Sequence, residues 1–229
     1  NRCIQCTRCI RFATEIAGVS ELGAIGRGED MEITTYLEAA LSSELSANIV
    51  DLCPVGALTS KPYAFNARPW ELRKTESVDV MDAVGSNIRV DARDMNVLRV
   101  LPRINEEINE EWLSDKSRHA IDGLGRQRLD TPYLKTGGKL TPVSWPIALE
   151  AFSARLKGDA SKIGAIAGDL CDVEGMKACL DLLRGLGVNN TDCRQDGAMI
   201  GASGQRGEYL FNSSIMGIED ADAILMIGT

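Results

Sequence analysis

Apolar and polar residues alternate in part over residues 77–101, and two polar breaks divide this stretch into three segments. The breaks lie at residues 85–87 and 93–96. Because alternation with a period of two is typical of strands with one buried face, the pattern predicts a three-stranded antiparallel meander. The charged stretch 105–129 that follows contains two glycines and predicts loops with a short helix.

In the second half of the chain the hydrophobic spacing changes to that of a helix. Ser144 has the side chain of a helix cap, and Pro146 follows in the first turn. Leu149, Phe152 and Leu156 then recur three and four residues apart. This spacing predicts an amphipathic helix.

Three further segments indicate alternating strands and helices. Residues 163–166 and 223–227 are short apolar runs, and each predicts a buried strand. Between them, a helix is predicted from the spacing of Val173, Met176, Leu180 and Leu183, with an end at Gly185 and Gly187. Strands that alternate with helices are typical of βαβ units, so this part of the chain is predicted to be α/β.

Composition and charge narrow the classes of protein. With 229 residues, 44% of them hydrophobic, the chain is long enough for a buried core in one or two domains. A net charge of -8 disfavours contact with phosphate backbones, so nucleic acid is not an expected partner. The apolar runs are far shorter than the roughly 20 residues that span a bilayer, which leaves only an indirect membrane link through a partner. Because no methionine begins the chain, we expect an internal fragment of a longer protein.

The strongest chemical signal is a group of four cysteines. Cys3, Cys6 and Cys9 form a C-x2-C-x2-C pattern, and the distant Cys53 is followed by Pro54. Two-residue gaps allow one curling loop to present three thiolates, and a Cys-Pro pair is a recurrent fourth ligand of 4Fe-4S clusters. The four cysteines are therefore predicted to bind one 4Fe-4S cluster.

Two alternatives remain open at the cysteines. Zinc also accepts four thiolates, although its sites usually pair two C-x2-C knuckles, and the thiols could instead be unligated core groups. Arg2, Arg8 and Arg11 flank the motif. They either offset the negative charge of an all-thiolate cluster or are solvated surface charges.

The remaining cysteines are predicted to be structural, and the single histidine is predicted to have a surface or structural role. Cys179 lies beside the apolar stripe of the second predicted helix, and Cys171 and Cys193 have no second cysteine at ligand spacing. His119 lies in a charged stretch without a catalytic pattern. Seven cysteines, four of them in a metal-binding pattern, indicate a reducing compartment.

The cysteine motif and three neighbouring stretches carry a family resemblance. Residues 2–9 (RCIQCTRC), 48–90, 109–118 (NEEWLSDKSR) and 126–129 resemble the large iron-sulfur subunit of respiratory complex I, of the alphaproteobacterial or mitochondrial type. The resemblance covers at least residues 1–130.

This resemblance implies a function and a ligand set. Cys3, Cys6, Cys9 and Cys53 match the ligands of the family's C-terminal 4Fe-4S centre, whereas its other centres would precede residue 1. The implied function is single-electron relay within the NADH:quinone oxidoreductase complex. The implied partners are other peripheral-arm subunits, at the cytoplasmic face of the bacterial inner membrane or the mitochondrial matrix side. No NADH-binding motif is visible, so the fragment alone is expected to lack a catalytic site.

From about Glu71 onward the chain resembles the molybdopterin oxidoreductase fold that the family shares with formate dehydrogenases and nitrate reductases. Residues 72–169 contain no cysteine, so the additional cluster of some relatives is not expected. Residues 188–193 resemble the approach to the metal-ligating position of formate dehydrogenases, but residues 194–201 supply no thiol. No molybdopterin is therefore expected.

These inferences combine into one predicted architecture. An α+β cluster-binding domain over residues 1–70 precedes a small β-rich segment over 71–130, and a truncated α/β molybdopterin-oxidoreductase-like domain covers 131–229. Two other functions remain as alternatives. One is a fragment of a molybdopterin-dependent oxidoreductase, and the other is a zinc-stabilised interaction module.

Overall fold

A computed structural model describes residues 2–35, 40–168, 170–193, 204–208, 210 and 212–227. The chain divides into two compact units, Asn1–Arg126 with Ser214–Thr229, and Gln127–Ser213. The predicted thiol-free stretch 194–201 lies outside the described residues. Within the described ranges, every helix is too short or too polar to cross a membrane.

The first unit begins with the segment that carries three of the four cysteines. Helix α1 (Arg8–Arg11) continues as a π-helical segment, Phe12–Ile16. Strands β1 (Leu22–Ile25) and β2 (Glu32–Thr35) then form an antiparallel hairpin. Gly26 enters the hairpin turn with φ +75°, and a Cβ there would lie 2.6 Å from the carbonyl oxygen of Asp30. Only glycine fits this position without a rearrangement of the turn.

Helix α2 (Asn48–Leu52) ends directly before the fourth cysteine, and a sheet follows it. Strands β3 (Arg73–Val78), β4 (Asn87–Arg93) and β5 (Asn96–Pro102) pair in the antiparallel order β3-β4-β5. This confirms the predicted meander. Its first strand begins earlier than predicted because β3 is an exposed edge strand whose polar residues show no alternation.

The buried centre of this sheet combines an apolar cluster with an ion-paired carboxylate. Ile88, Val100 and Leu113 form the apolar cluster. The carboxylate of Asp91 is fully buried and accepts from Nε of Arg89 at 2.9 Å and Nε of Arg99 at 2.8 Å. Burial opposes ionisation of Asp91, but the two guanidinium groups outweigh it and hold the carboxyl pKa below its ordinary value.

The segment after the sheet confirms the predicted loops with a short helix. Helix α3 (Asp115–His119) is followed by a 3-10 segment, Ala120–Gly125. Ser114 caps α3, because its Oγ accepts from the backbone N–H of Ser117 at 3.2 Å.

A buried amide joins α2 to the segment that leads into α3. The side-chain nitrogen of Asn48 donates to the carbonyl oxygens of Leu45 and Leu113, both at 2.8 Å. Its oxygen accepts from the N–H of Leu113 and from Nη2 of Arg118, both at 3.0 Å. Asn48 is 1% exposed, so these four bonds replace all its contacts with water.

Two further contacts fasten the cysteine-bearing helices to the same segment. The rings of Phe12 and Trp112 pack with centroids 4.8 Å apart, which anchors the helix after Cys9. Asp115 accepts from the backbone N–H of Ala47 at 2.8 Å, at the start of α2. Residues 112–118 therefore support both helices that lead to or from the cysteines.

The second unit contains a hairpin, two longer helices and a parallel strand pair. Its elements are β6 (Tyr133–Thr136), β7 (Lys139–Pro142), α4 (Trp145–Leu156), β8 (Ala165–Ile166), α5 (Val173–Gly185) and β9 (Thr191–Asp192). Strands β8 and β9 pair in parallel with α5 between them in sequence, so the predicted βαβ arrangement is present, but with a second strand that was not predicted. The carboxylate of Asp172 caps α5, because it accepts from the N–H of Gly175 at 2.8 Å.

The prediction of a second strand over residues 223–227, which belong to the first compact unit, was wrong. Residues 223–227 form no strand, and Leu225 is 85% exposed, because no described strand lies beside them to pair with. The partner of β8 is instead the polar β9, which has no apolar pattern.

Burial in the second unit is also less than the sequence predicted. Ile166 in β8 is 74% exposed, and Leu149 and Phe152 on α4 are more than half exposed. Two strands of two residues each form too small a sheet to cover these side chains. Helix α4 begins at Trp145 as predicted, although the side chain of Ser144 makes no capping bond.

We expect Asp91→Asn to lower the free energy of unfolding at pH 7 by about 3 kcal/mol, because the change removes the charge that Arg89 and Arg99 bind. The folded-state pKa is depressed, so this stabilisation is complete above the ordinary Asp pKa of about 4 and is lost as pH falls through the folded-state pKa. Urea unfolding at several pH values tests this expectation. Glu76→Gln, on the exposed end of a 3.7 Å pair with Arg103, is the control. An equal effect of Asp91→Asn at pH 7 and pH 3 would contradict it.

We expect Asn48→Ala to destabilise the first unit by about 3 kcal/mol, because it leaves the buried N–H and carbonyl of Leu113 without their partners. Asn66→Ala is the matched control, since Asn66 is exposed and its amide donates only to the carbonyl oxygen of Pro62. Urea unfolding measures both variants. Similar losses in the two would show that the Asn48 amide is not a structural link.

Candidate metal centre

All four predicted ligand cysteines line one cavity of about 330 Å³ in the first unit. Cys3 and Cys6 lie in the loop before α1, and Cys9 lies within α1. Cys53 follows the last residue of α2. The structure thus brings three thiols from one loop together with a fourth from a separate helix end.

The loop between the first three cysteines has an unusual backbone. Gln5 and Thr7 adopt φ values of +50° and +58°, in the left-handed region that side chains other than glycine rarely adopt. A left-handed residue next to a right-handed one, as Thr7 is to the first residue of α1, can turn successive N–H groups toward one concave side, as in many phosphate and iron-sulfur sites. The N–H of Gln5 donates to Sγ of Cys3 at 3.4 Å. The loop backbone therefore offers donors to a negatively charged group.

A second set of backbone donors surrounds Cys53. The N–H of Ala57 donates to Sγ of Cys53 at 3.2 Å, and Gly56 turns the loop with φ +64°. Burial opposes ionisation of this thiol, but the N–H groups of residues 55–58 outweigh it, so the pKa of Cys53 lies below its ordinary value. Hydrogen bonds to the thiolate thus favour the form that binds a metal.

Cys9 has the opposite tendency in the absence of a bound cation. Burial raises the pKa of its thiol, and the charges of Cys6 and Cys3 add to this effect, against weaker donation from the N–H groups of Ile10 and Cys9 itself. Several thiolates close together repel one another, so they require a cationic group to remain ionised together.

Two of the three flanking arginines lie at the cavity. Arg2 and Arg8 line it with the cysteines. Arg11 instead pairs with the exposed Glu15, with Nε and Oε1 3.0 Å apart. Of the two roles that the sequence left open, Arg11 therefore has that of a solvated surface charge. Arg2 and Arg8 instead add positive charge to the cavity wall.

The chemistry of the donor set fits a 4Fe-4S cluster. All four cysteines are free thiols that surround a common space, and backbone donors face two of the sulfurs. A tetrahedral zinc ion would draw its thiolates to about 2.3 Å from a single point. In the described part of the chain, no group of three or more His, Cys, Asp or Glu side chains is already close enough together to hold a metal ion, so what the structure shows of the four thiols is that they line one cavity.

The other cysteines do not have the predicted core positions. Cys171, Cys179 and Cys193 are all exposed. Cys179 and Cys193 line one cavity of about 420 Å³ in the second unit, next to the apolar stripe of α5. They are far apart in sequence, and the parallel pairing of β8 with β9 brings them to the same cavity. His119 is exposed at the end of α3, as a surface role requires.

Sequence reasoning missed two residues that support the site. Asn48 and Arg118 are buried polar residues that hold α2 in place next to Cys53. Their only sequence signal was the family resemblance of residues 48–90 and 109–118, since no local pattern links positions this far apart.

Comparison with known families divides the chain into three matched regions. Residues 1–59 match the family described as NADH-quinone oxidoreductase subunit 3, ferredoxin-like domain, and this region contains all four ligand candidates. Residues 72–122 match NADH-ubiquinone oxidoreductase NDSU1/NuoG-like, 4Fe-4S domain, although they contain no cysteine. Residues 128–229 match Molybdopterin oxidoreductase.

Individual relatives match the chain from end to end. The NuoG subunit of NADH-quinone oxidoreductase from Rickettsia felis is 57% identical over 228 residues, which cover 99% of this chain and 34% of the relative. The mitochondrial NADH-ubiquinone oxidoreductase 78 kDa subunits of Neurospora crassa and Candida albicans are each 54% identical over 100% of this chain and 32% of their own length. The chain spans about a third of these relatives. It belongs to the family formed by the NuoG subunit of NADH-quinone oxidoreductase and the mitochondrial 78 kDa subunit.

Proposed function

We propose that this chain relays single electrons through one 4Fe-4S cluster bound by Cys3, Cys6, Cys9 and Cys53, as part of the NADH:quinone oxidoreductase complex. One observation carries the proposal: the four thiols of the predicted motif line a single cavity. The family membership supports the wider assignment, because the relatives are named as subunits of that oxidoreductase.

The residues of the chain have distinct tasks in this proposal. When bound, a 4Fe-4S cluster supplies a one-electron redox couple. The four cysteines hold it as thiolates, and the N–H groups of Gln5 and Ala57 donate to two of the sulfurs. Arg2 and Arg8 offset part of the negative charge. Such donors and charges set the potential of a cluster, so the cavity wall determines how readily it accepts an electron.

The proposal includes an arrangement and a location. Residues 1–70 form the cluster-binding domain, 71–130 a β-rich segment, and 131–229 part of a molybdopterin-oxidoreductase-like domain. The partners are other subunits of the peripheral arm, at the cytoplasmic face of a bacterial inner membrane or the mitochondrial matrix side. The net charge of -8 supports protein partners over nucleic acid.

Neither a second cluster nor molybdopterin is part of the proposal. The match of residues 72–122 to a 4Fe-4S domain is not accompanied by thiols, so this region lacks the ligands for a cluster. Residues 194–201 likewise contain no thiol at the position where the resemblance places a molybdenum ligand. The β-rich segment then has a supporting role, since it supplies the residues that hold α2.

We expect each of four single variants to lose the 4Fe-4S cluster, because each change takes away one of its four iron-bound sulfurs. The variants are Cys3→Ser, Cys6→Ser, Cys9→Ser and Cys53→Ser. The measurement is iron and acid-labile sulfide per chain in anaerobically prepared protein, together with the electron paramagnetic resonance signal of the reduced cluster. Cys171→Ser is the control, since this cysteine is exposed and lies outside the cavity. The control is expected to keep the full iron content.

Three outcomes would contradict the proposal, and each identifies a different error. Unchanged iron in Cys53→Ser would remove Cys53 from the ligand set. Zinc in place of iron would favour the zinc-stabilised module. Molybdenum or tungsten at one per chain would favour the molybdopterin-dependent oxidoreductase.

A further inference from the structure

Arg118 is a buried cation next to the helix that ends at Cys53. It is 6% exposed, and its Nη1 lies 2.8 Å from Oδ2 of Asp51. Its Nη2 donates to the side-chain oxygen of Asn48 at 3.0 Å, and its Nε is buried without a hydrogen-bond partner. A buried guanidinium with an unused donor is costly, so its position requires a compensating benefit.

The position of Arg118 is directly behind the loop that carries the fourth cysteine. Arg118 and Asp51 line a cavity of about 390 Å³ on one side of this loop. Gly56 and Leu58 line that cavity and also the cysteine cavity. The loop after Cys53 therefore borders both the cavity of the Arg118–Asp51 pair and the space among the thiols.

The charge of Arg118 matters because it neutralises Asp51, which lies close to Cys53 in sequence. Its carboxylate lies two residues before Cys53 and is 33% exposed, so water screens it incompletely. A negative charge near an iron-sulfur cluster disfavours the uptake of an electron and lowers the potential. Arg118 neutralises the negative charge of Asp51 through their direct ion pair.

We infer that Arg118 is a positioning residue that raises the reduction potential of the cluster by neutralising Asp51 behind the Cys53 loop. This inference rests on the proposed function of the four cysteines. It assigns to residues 48–51 and 118 a task beyond the stability of α2. An unpaired Asp51 carboxylate next to the cluster would lower its reduction potential. The ion pair with Arg118 prevents this decrease.

A double-mutant cycle separates charge from structure. In the complete protein with its cluster, Arg118→Met leaves Asp51 unpaired and is expected to shift the reduction equilibrium about tenfold toward the oxidised form, or about 59 mV lower. Asp51→Asn leaves Arg118 unpaired and is expected to shift it in the opposite direction. The double variant restores neutrality, and its potential is expected within about twofold of the wild-type equilibrium. Potentiometric titration of the paramagnetic signal that Cys53→Ser removes is the measurement.

Two further variants distinguish charge from mere packing. Arg118→Lys keeps the charge, and its potential is expected to stay near the wild-type value. Arg103→Met is the matched control, because Arg103 also has a buried Nε without a partner but lines neither cavity. It is expected to leave the potential unchanged.

Shifts of the same sign in Arg118→Met and Asp51→Asn would overturn the inference, because they would indicate distortion of the loop rather than charge. Unchanged potentials in both variants would overturn it as well. If Arg118→Met fails to fold, the Asp51→Asn variant alone tests the inference. Asp51 is partly exposed, so this variant is expected to fold, and its cluster is expected to have a raised reduction potential. A wild-type protein without iron would instead overturn the proposed function, before the cycle is measured.

Discussion

The buried amide of Asn48 is the interaction on which the geometry of the cysteine cavity depends. Three of its four hydrogen bonds connect the first residue of α2 to the N–H and carbonyl groups of Leu113 and to Arg118, and the fourth goes to the carbonyl oxygen of Leu45. Leu113 belongs in turn to the apolar cluster of the meander. The Asn48 side chain thus links the helix that leads to Cys53 to the apolar cluster of the sheet, next to the contacts of Asp115 and Arg118 with the same helix. Without Asn48, the N–H and carbonyl groups of Leu113 would lose these hydrogen bonds in a buried position.

The loop of the other three cysteines reaches the same support by a different kind of contact. Phe12 follows the C-x2-C-x2-C loop and packs on Trp112, the neighbour of Leu113 in sequence. Cysteines that lie far apart in the chain are therefore held against a single short segment, 112–118. The β-rich region contains no cysteine, and its residues instead support the segments that carry the cysteines. Rigid support is what a relay centre requires, because its ligands must keep their positions in both oxidation states.

Local patterns in the sequence were sufficient for part of this description. The alternation of residues 77–101 predicted the meander, and the two-residue gaps between cysteines predicted that one short loop presents three thiols together. Both depend on neighbours in sequence. The partner of β8 could not be found in this way, because β9 is polar and its pairing depends on the return path after α5. Nor could the exposure of residues 223–227, since an apolar run forms a strand only beside another strand.

The buried polar residues that support the site could not be predicted from local sequence patterns either. Asn48, Asp91 and Arg118 are polar residues that a hydrophobicity pattern places at the surface, yet each is buried with charged or amide partners. Their partners lie in other elements, so only the folded chain reveals them. The left-handed conformations of Gln5 and Thr7 were equally invisible, because neither residue type signals a positive φ.

The central claim is that four thiols around one cavity hold a single four-iron cluster. Its most direct test is Mössbauer spectroscopy of the 229-residue chain after anaerobic loading with iron-57 and sulfide. We expect four irons per chain in one diamagnetic oxidised cluster that takes up one electron on reduction. Isolated mononuclear iron, or a chain that binds one zinc ion and no cluster, would contradict it.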